Sequence, residues 1–201
     1  MRDAATPGGA STDVPAARRW RAALIAAFLA YSVLLVWLAV WKLALPYVGS
    51  GERVLKLVPF IESGAYGPSA PSEVLGNLLV FVPLGLYLGL LSPTWSWRRV
   101  AAATAATSVA IEVAQYVLAV GRCDVTDMLV NTAGGLAGFG ILSLARLAGR
   151  ERADRAATRV GVFGALVAVL MVAALVASPL QFRAPPQAPP NASAAGPNWA
   201  G

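Results

Sequence analysis

Histidine is absent from this chain of 201 residues. That removes the commonest general acid/base and the commonest metal ligand. A His-dependent hydrolase, a His-ligated haem protein and a typical catalytic zinc site are set aside, and no cofactor or metal is expected. Cysteine is nearly absent: Cys123 stands alone, so no intrachain disulfide can form. Charge is scarce as well. Only 13% of residues are charged, against roughly 25% in soluble domains. Any chemistry must rest on carboxylates, arginine, amides, hydroxyls or the one thiol.

Apolar residues fill the space, at 57% of the chain. That balance describes an integral membrane protein. The net charge is +6, but the basic residues are spread between apolar runs. A nucleic-acid interface would gather them on one solvated face, so no nucleic-acid partner is expected. A cytoplasmic membrane surface accounts for them better.

In chain order, residues 1–17 are small, polar and Pro/Gly-containing, and read as a disordered leader. Residues 18–147 read as a core of four helices. The first runs from Ala22 to Trp41, long enough to span a hydrocarbon layer of about 30 Å. Val54–Ile61 is apolar but too short to span, and is expected to lie in the interface. The second helix is expected from Ser72 or Glu73 to Leu91, kinked at Pro83. The third is expected over Val100 to Val120, and the fourth over Asp127 to Leu147. Residues 148–159 read as a basic cytoplasmic connector, 160–178 as a fifth transmembrane helix, and 179–201 as a Pro/Ala-rich tail.

The fold class is therefore all-α: a polytopic transmembrane bundle of about five helices, a multi-pass protein of the cell membrane. With five alternating spans, 11 basic residues fall on one side and 5 on the other. The positive-inside rule then places the amino terminus inside and the carboxyl terminus outside.

Polar residues sit where lipid would not tolerate them. Thr104, Ser108, Glu112 and Gln115 share about an 80° arc of the third helix. Asp127, Asn131, Gly134 and Gly138 share about a 60° arc of the fourth. Counting from the helix ends sets Asn77, Glu112, Gln115, Arg122, Asp124, Asp127 and Asn131 in one half of the bilayer. Together they predict a polar, ligand-binding cleft opening outward between three helices. Pro83, Gly85, Gly134 and Gly138 are expected to shape and pack those helices. Glu112 has a second reading as a buried hydrogen-bonding partner of Asn131, Gln115 or Arg122.

Several motifs carry a family resemblance. They are Glu73-x-x-x-Asn77, Phe81-Val82-Pro83-Leu84-Gly85, Ser108-x-x-Ile111-Glu112-x-x-Gln115, Gly121-Arg122-x-Asp124-x-x-Asp127 and Asn131-x-x-Gly134-x-x-x-Gly138. In that order and spacing, over about residues 54–145, the chain resembles the VanZ-like membrane-protein family. The resemblance implies a small multi-helix membrane protein in a family whose namesake is associated with low-level teicoplanin resistance. The reading that follows is a protein that binds or protects a lipid-linked envelope component at the outer face. Its expected partners are membrane lipids, a lipid-linked cell-wall precursor or a membrane protein. Arg122 is the candidate phosphate ligand, and Glu112, Asp127 and Asn131 shape the site. An enzyme acting on such a lipid, a small transporter and a purely structural membrane partner remain open. No nucleophile–base pair singles out a catalytic residue.

Overall fold

The computed structural model describes residues 13–41, 46–49, 55–56, 58, 71–121 and 123–177. Five helices carry the fold: α1 (Asp13–Trp41), α2 (Pro71–Leu91), α3 (Trp97–Val117), α4 (Val125–Leu147) and α5 (Arg150–Ala177). Each contains an apolar span of 21 to 25 residues. At about 1.5 Å per residue, such spans cross a hydrocarbon layer of about 30 Å. Large apolar side chains such as Val33, Leu79, Leu144, Phe163 and Met171 point outward. In water that surface would drive association; in lipid it is the matching face.

Several boundaries differ from the sequence reading, and α3 lies three residues earlier than expected at each end. Helix α1 begins at Asp13, inside the stretch expected to be a leader. The expected connector 148–159 is almost entirely helix, because α5 begins at Arg150. Its Arg, Glu and Ala residues are strong helix formers, so charge there marks a solvated helical turn and not a loop. Only Ala148 and Gly149 break the chain, and Gly149 adopts φ +143°, a conformation that favours glycine. Helix α4 begins at Val125, two residues before the expected start. Residues 1–12, Arg122 and the tail from residue 178 lie outside the described residues.

Two short strands add to the helices: β1 (Leu55–Lys56) and β2 (Cys123–Asp124). They pair in parallel, Leu55 with Cys123 and Lys56 with Asp124. The segment expected to rest in the interface is thus tied to the α3–α4 turn. Two further bonds secure the same end: Gly49 N–H donates to the Leu118 carbonyl at 2.8 Å, and Trp41 Nε1 donates to the Tyr47 carbonyl at 2.9 Å.

Helices α2 and α4 approach most closely, through glycine. A β-carbon at Gly134 would meet the Leu78 carbonyl, one at Gly138 the Val82 carbonyl, and one at Gly85 the Gly135 carbonyl. Small residues permit this approach in a bilayer, where helix association relies on packing and not on water exclusion. Pro83 lies within α2, which continues through it. Tyr31 Oη donates to the Val80 carbonyl at 2.8 Å in the same turn. At the arginine-rich end, Arg146 donates to Asp154 at 2.7 Å and to the Gly89 carbonyl at 3.0 Å. That joins α4 to both α5 and α2.

Candidate functional site

At the opposite end from that arginine cluster, α1 finishes, α2 begins, α3 finishes and α4 begins. The four ends enclose a cavity of about 270 Å³. Its polar lining is Glu73 and Asn77 from α2, Glu112 and Gln115 from α3, and Asp127 and Asn131 from α4. Asn77, Glu112 and Asn131 each lie about 7–9 Å in from their helix ends, at about 1.5 Å per residue. Phe81, Ile111 and Leu38 supply apolar wall between them.

Three of these side chains are held by specific bonds. Gln115 Nε2 donates to the Ala39 carbonyl at 3.0 Å. Ala39 is in the last turn of α1, where carbonyls have no partner within the helix, so Gln115 caps a neighbouring helix. Asn131 Nδ2 donates to Ser108 Oγ at 2.9 Å, joining α4 to α3. The Glu112 side chain is 2% exposed, and its Oε2 accepts the Asp124 backbone N–H at 2.9 Å. The expected partners Asn131 and Gln115 are therefore engaged elsewhere, on Ser108 and Ala39.

Asp124 takes a different place from the one expected. Its backbone is extended at φ −118°, ψ 119°, and its side chain accepts the Thr126 N–H at 2.8 Å. Asp124 is the N-cap of α4, and Asp127, expected to open the helix, is its third residue. Asp127 lines the cavity; Asp124 stands beside it, joined to Glu112.

Among the described residues, two side-chain atoms of the lining residues are buried without a hydrogen bond: Gln115 Oε1 and Asn131 Oδ1. Their residues are 7% and 4% exposed. Buried acceptors rarely stay unpaired, because an unmade bond costs about 1–3 kcal/mol in desolvation. Cys123, beside β1 in the adjoining turn, has its thiol pKa raised by burial, with the Glu112 and Asp124 carboxylates adding to the effect.

Of the seven polar residues singled out by sequence, five line this one cavity, Asp124 adjoins it, and Arg122 is outside the described residues. Glu73 joins them. The sequence reading missed the contribution of α1, and no sequence signal could have shown it, since Ala39 acts through a backbone carbonyl. It also missed Gly135, whose β-carbon would strike Thr104; the Gly134-Gly135 pair was the available sign.

A family model described as VanZ/LLP1 matches residues 28–146. The chain belongs to the VanZ/LLP1 family. That match begins within α1 and ends within the last turn of α4, so it takes in the four helices that build the cavity. This VanZ-like chain is also similar to "Protein VanZ" of Enterococcus faecium, at 31% identity over 146 residues, covering 71% of this chain and 86% of that protein. No solved structure matches it. Helix α5 falls outside the family match. It touches the VanZ-like core through Tyr87 Oη, which donates to the Gly161 carbonyl at 2.8 Å, and through the Arg146–Asp154 pair.

Proposed function

We propose that this VanZ-like membrane protein binds the polar part of a lipid-linked envelope component, in a cavity facing the outer membrane–water interface. The observation that carries this reading is a cavity lined by polar side chains from three helices, two of which hold buried amide oxygens, Gln115 Oε1 and Asn131 Oδ1, unpartnered among the described residues. Polar groups at membrane depth are expensive to keep, and here they converge from three helices. The volume of about 270 Å³ is several times the roughly 30 Å³ that one water occupies in the liquid, so the cavity has room for a headgroup. The arginine-rich end lies opposite, which under the positive-inside rule turns the cavity outward. That direction agrees with the family's association with teicoplanin resistance, since such an antibiotic acts outside the membrane.

Cys123 does not read as a nucleophile for this site. A thiol whose pKa is raised holds less thiolate and is a poorer nucleophile. The test is native mass spectrometry of the full-length protein purified in detergent, wild type beside Gln115→Met and Asn131→Leu. The expected result is one selectively retained lipid-linked species that both variants lose. A folded wild type that retains no species selectively would overturn the reading and leave the polar set as helix-joining structure.

A further inference from the structure

We propose that a slot between α1, α2 and α5, at the arginine-rich end, seats one anionic phospholipid of the adjoining leaflet. This site is separate from the polar cavity and does not rest on the function read there.

The slot is a cavity of about 280 Å³, bounded by Tyr31 of α1, Pro83, Tyr87 and Leu90 of α2, and Gly161 and Gly164 of α5 among others. Its wall is apolar. Both tyrosine hydroxyls on it are engaged, Tyr31 Oη on the Val80 carbonyl and Tyr87 Oη on the Gly161 carbonyl, each at 2.8 Å. On α5 the lining runs from Ala157 to Ala168, about 16 Å of helix at about 1.5 Å per residue. That is about half of a hydrocarbon layer roughly 30 Å thick, the depth of one leaflet. Val160, on the rim, is 67% exposed, so the slot opens on the surrounding lipid. Spread over that length, the volume leaves a slot narrower than the roughly 10–12 Å of a helix with its side chains. An extended acyl chain fits where a partner helix does not, and an unfilled apolar void would forfeit dispersion contacts along its walls.

The mouth of the slot carries charge. Leu90 lines the slot and also an adjoining recess, which holds Arg21 and Thr158. Trp20 and Thr158 line that recess and the next one, which holds Arg159. Arg21 and Arg159 therefore flank one Trp20–Thr158 pair at the end of the slot. Neither guanidinium forms an ion pair with a described residue. The carboxylate among these lining residues, Asp154, is bonded to Arg146 at 2.7 Å. Ser32, Thr104, Thr107, Thr132 and Ser143 each donate to the carbonyl four residues back; among the described residues Thr158 makes no such bond. Two arginines and a hydroxyl donor suit a phosphate. A choline or ethanolamine headgroup would bring its own cation against those arginines. An anionic headgroup brings none. The order of tail slot, tryptophan and basic mouth is the order of a phospholipid from its chains to its headgroup.

The experiment titrates full-length protein in detergent with dioleoylphosphatidylglycerol and dioleoylphosphatidylcholine, read by native mass spectrometry. The two lipids share acyl chains and phosphate and differ in net charge. Wild type should prefer the anionic lipid by about thirtyfold, at about fivefold for each arginine near a headgroup. Arg21→Gln and Arg159→Gln should each cut that preference about fivefold, and the double variant should abolish it. Arg99→Gln removes an exposed cation at the same end but outside the slot and both recesses, and should leave the preference unchanged. Gly164→Leu narrows the slot at a position where a β-carbon meets nothing within 4 Å, and should weaken both lipids alike.

Equal binding of the two lipids by wild type would overturn the site. So would a preference that Arg99→Gln lowers as much as Arg21→Gln, since that reports only the general attraction of a basic surface. Lipid binding unmoved by Gly164→Leu would show that no acyl chain enters the slot. A dimer that forms in place of lipid binding, and that Gly164→Leu disrupts, would give the slot to a second copy of the chain and overturn the inference as well.

Discussion

Glu112 caps a helix to which it does not belong. In a capping box, the residue three positions after the N-cap accepts the N-cap's own N–H. Here that position is Asp127, yet the Asp124 N–H goes to Glu112 Oε2 at 2.9 Å. The positive end of the α4 dipole favours a carboxylate at this point. Glu112→Leu should leave the Asp124 N–H buried without this acceptor and cost about 1–3 kcal/mol. Glu112→Gln keeps an oxygen in place and should cost less. Thermal unfolding in detergent compares the two, and equal losses would refute the remote cap. Cys123 gives an independent readout. Its pKa is raised by burial and then by the Glu112 and Asp124 carboxylates. Removing the Glu112 charge stabilises the thiolate, so the pKa falls. Maleimide alkylation of Glu112→Gln near neutral pH should then be faster than in wild type, and the rise of rate with pH should begin lower. Coincident pH–rate profiles would show that the thiol does not sense Glu112. The sequence marked Glu112 plainly, as a carboxylate in apolar company. Its partner was hidden, because a backbone N–H is offered by every residue type except proline.

At the scale of elements, spacing predicted which face of α3 and α4 turns inward. Thr104, Ser108, Glu112 and Gln115 are all buried, as are Asn131, Gly134 and Gly138. What spacing does not contain is the identity of the opposing helix. Gly134 and Gly138 pack on α2, through carbonyls of Leu78 and Val82 that any residues there would provide. The same limit hid the β1–β2 pairing, a contact between segments nearly 70 residues apart in sequence. Helix starts were misjudged at Asp13 and Arg150 because polarity was taken for loop, whereas the ends of transmembrane helices extend into solvent. The α2–α4 contact makes a sharp prediction. Gly138→Ala would set a methyl against backbone, which cannot swing aside as a side chain can. Separation of α2 from α4 should cost about 1–3 kcal/mol or more, the range for overpacking. Gly140, two residues on, has nothing within 4 Å of its β-carbon position. Gly140→Ala should be neutral or stabilising by up to about 1 kcal/mol from helix propensity. Melting temperatures in one detergent check the pair, and equal destabilisation would sink this account of the interface.

For the molecule as a whole, the function turns on which end faces out. The starts of α1, α3 and α5 and the end of α4 bring Arg18, Arg19, Arg21, Arg98, Arg99, Arg146, Arg150, Arg152, Arg155 and Arg159 to one end. The cavity occupies the other. Translocating that many cations is opposed during insertion, so the arginine end should remain in the cytoplasm and the cavity should open outward. Two exposed positions separate the ends: Val48, after α1, and Thr94, in the α2–α3 turn. Single cysteines at these sites, in a Cys123→Ser background, would be treated in intact cells with a membrane-impermeant maleimide. Val48→Cys should label at once, and Thr94→Cys only after the membrane is opened. The reverse pattern would turn the cavity toward the cytoplasm, and no ligand confined to the outer surface could then reach Gln115 or Asn131. The orientation experiment thus bears on the function directly: an outer-face binding protein requires the orphaned amides and the positive charge to lie on opposite sides of the same membrane.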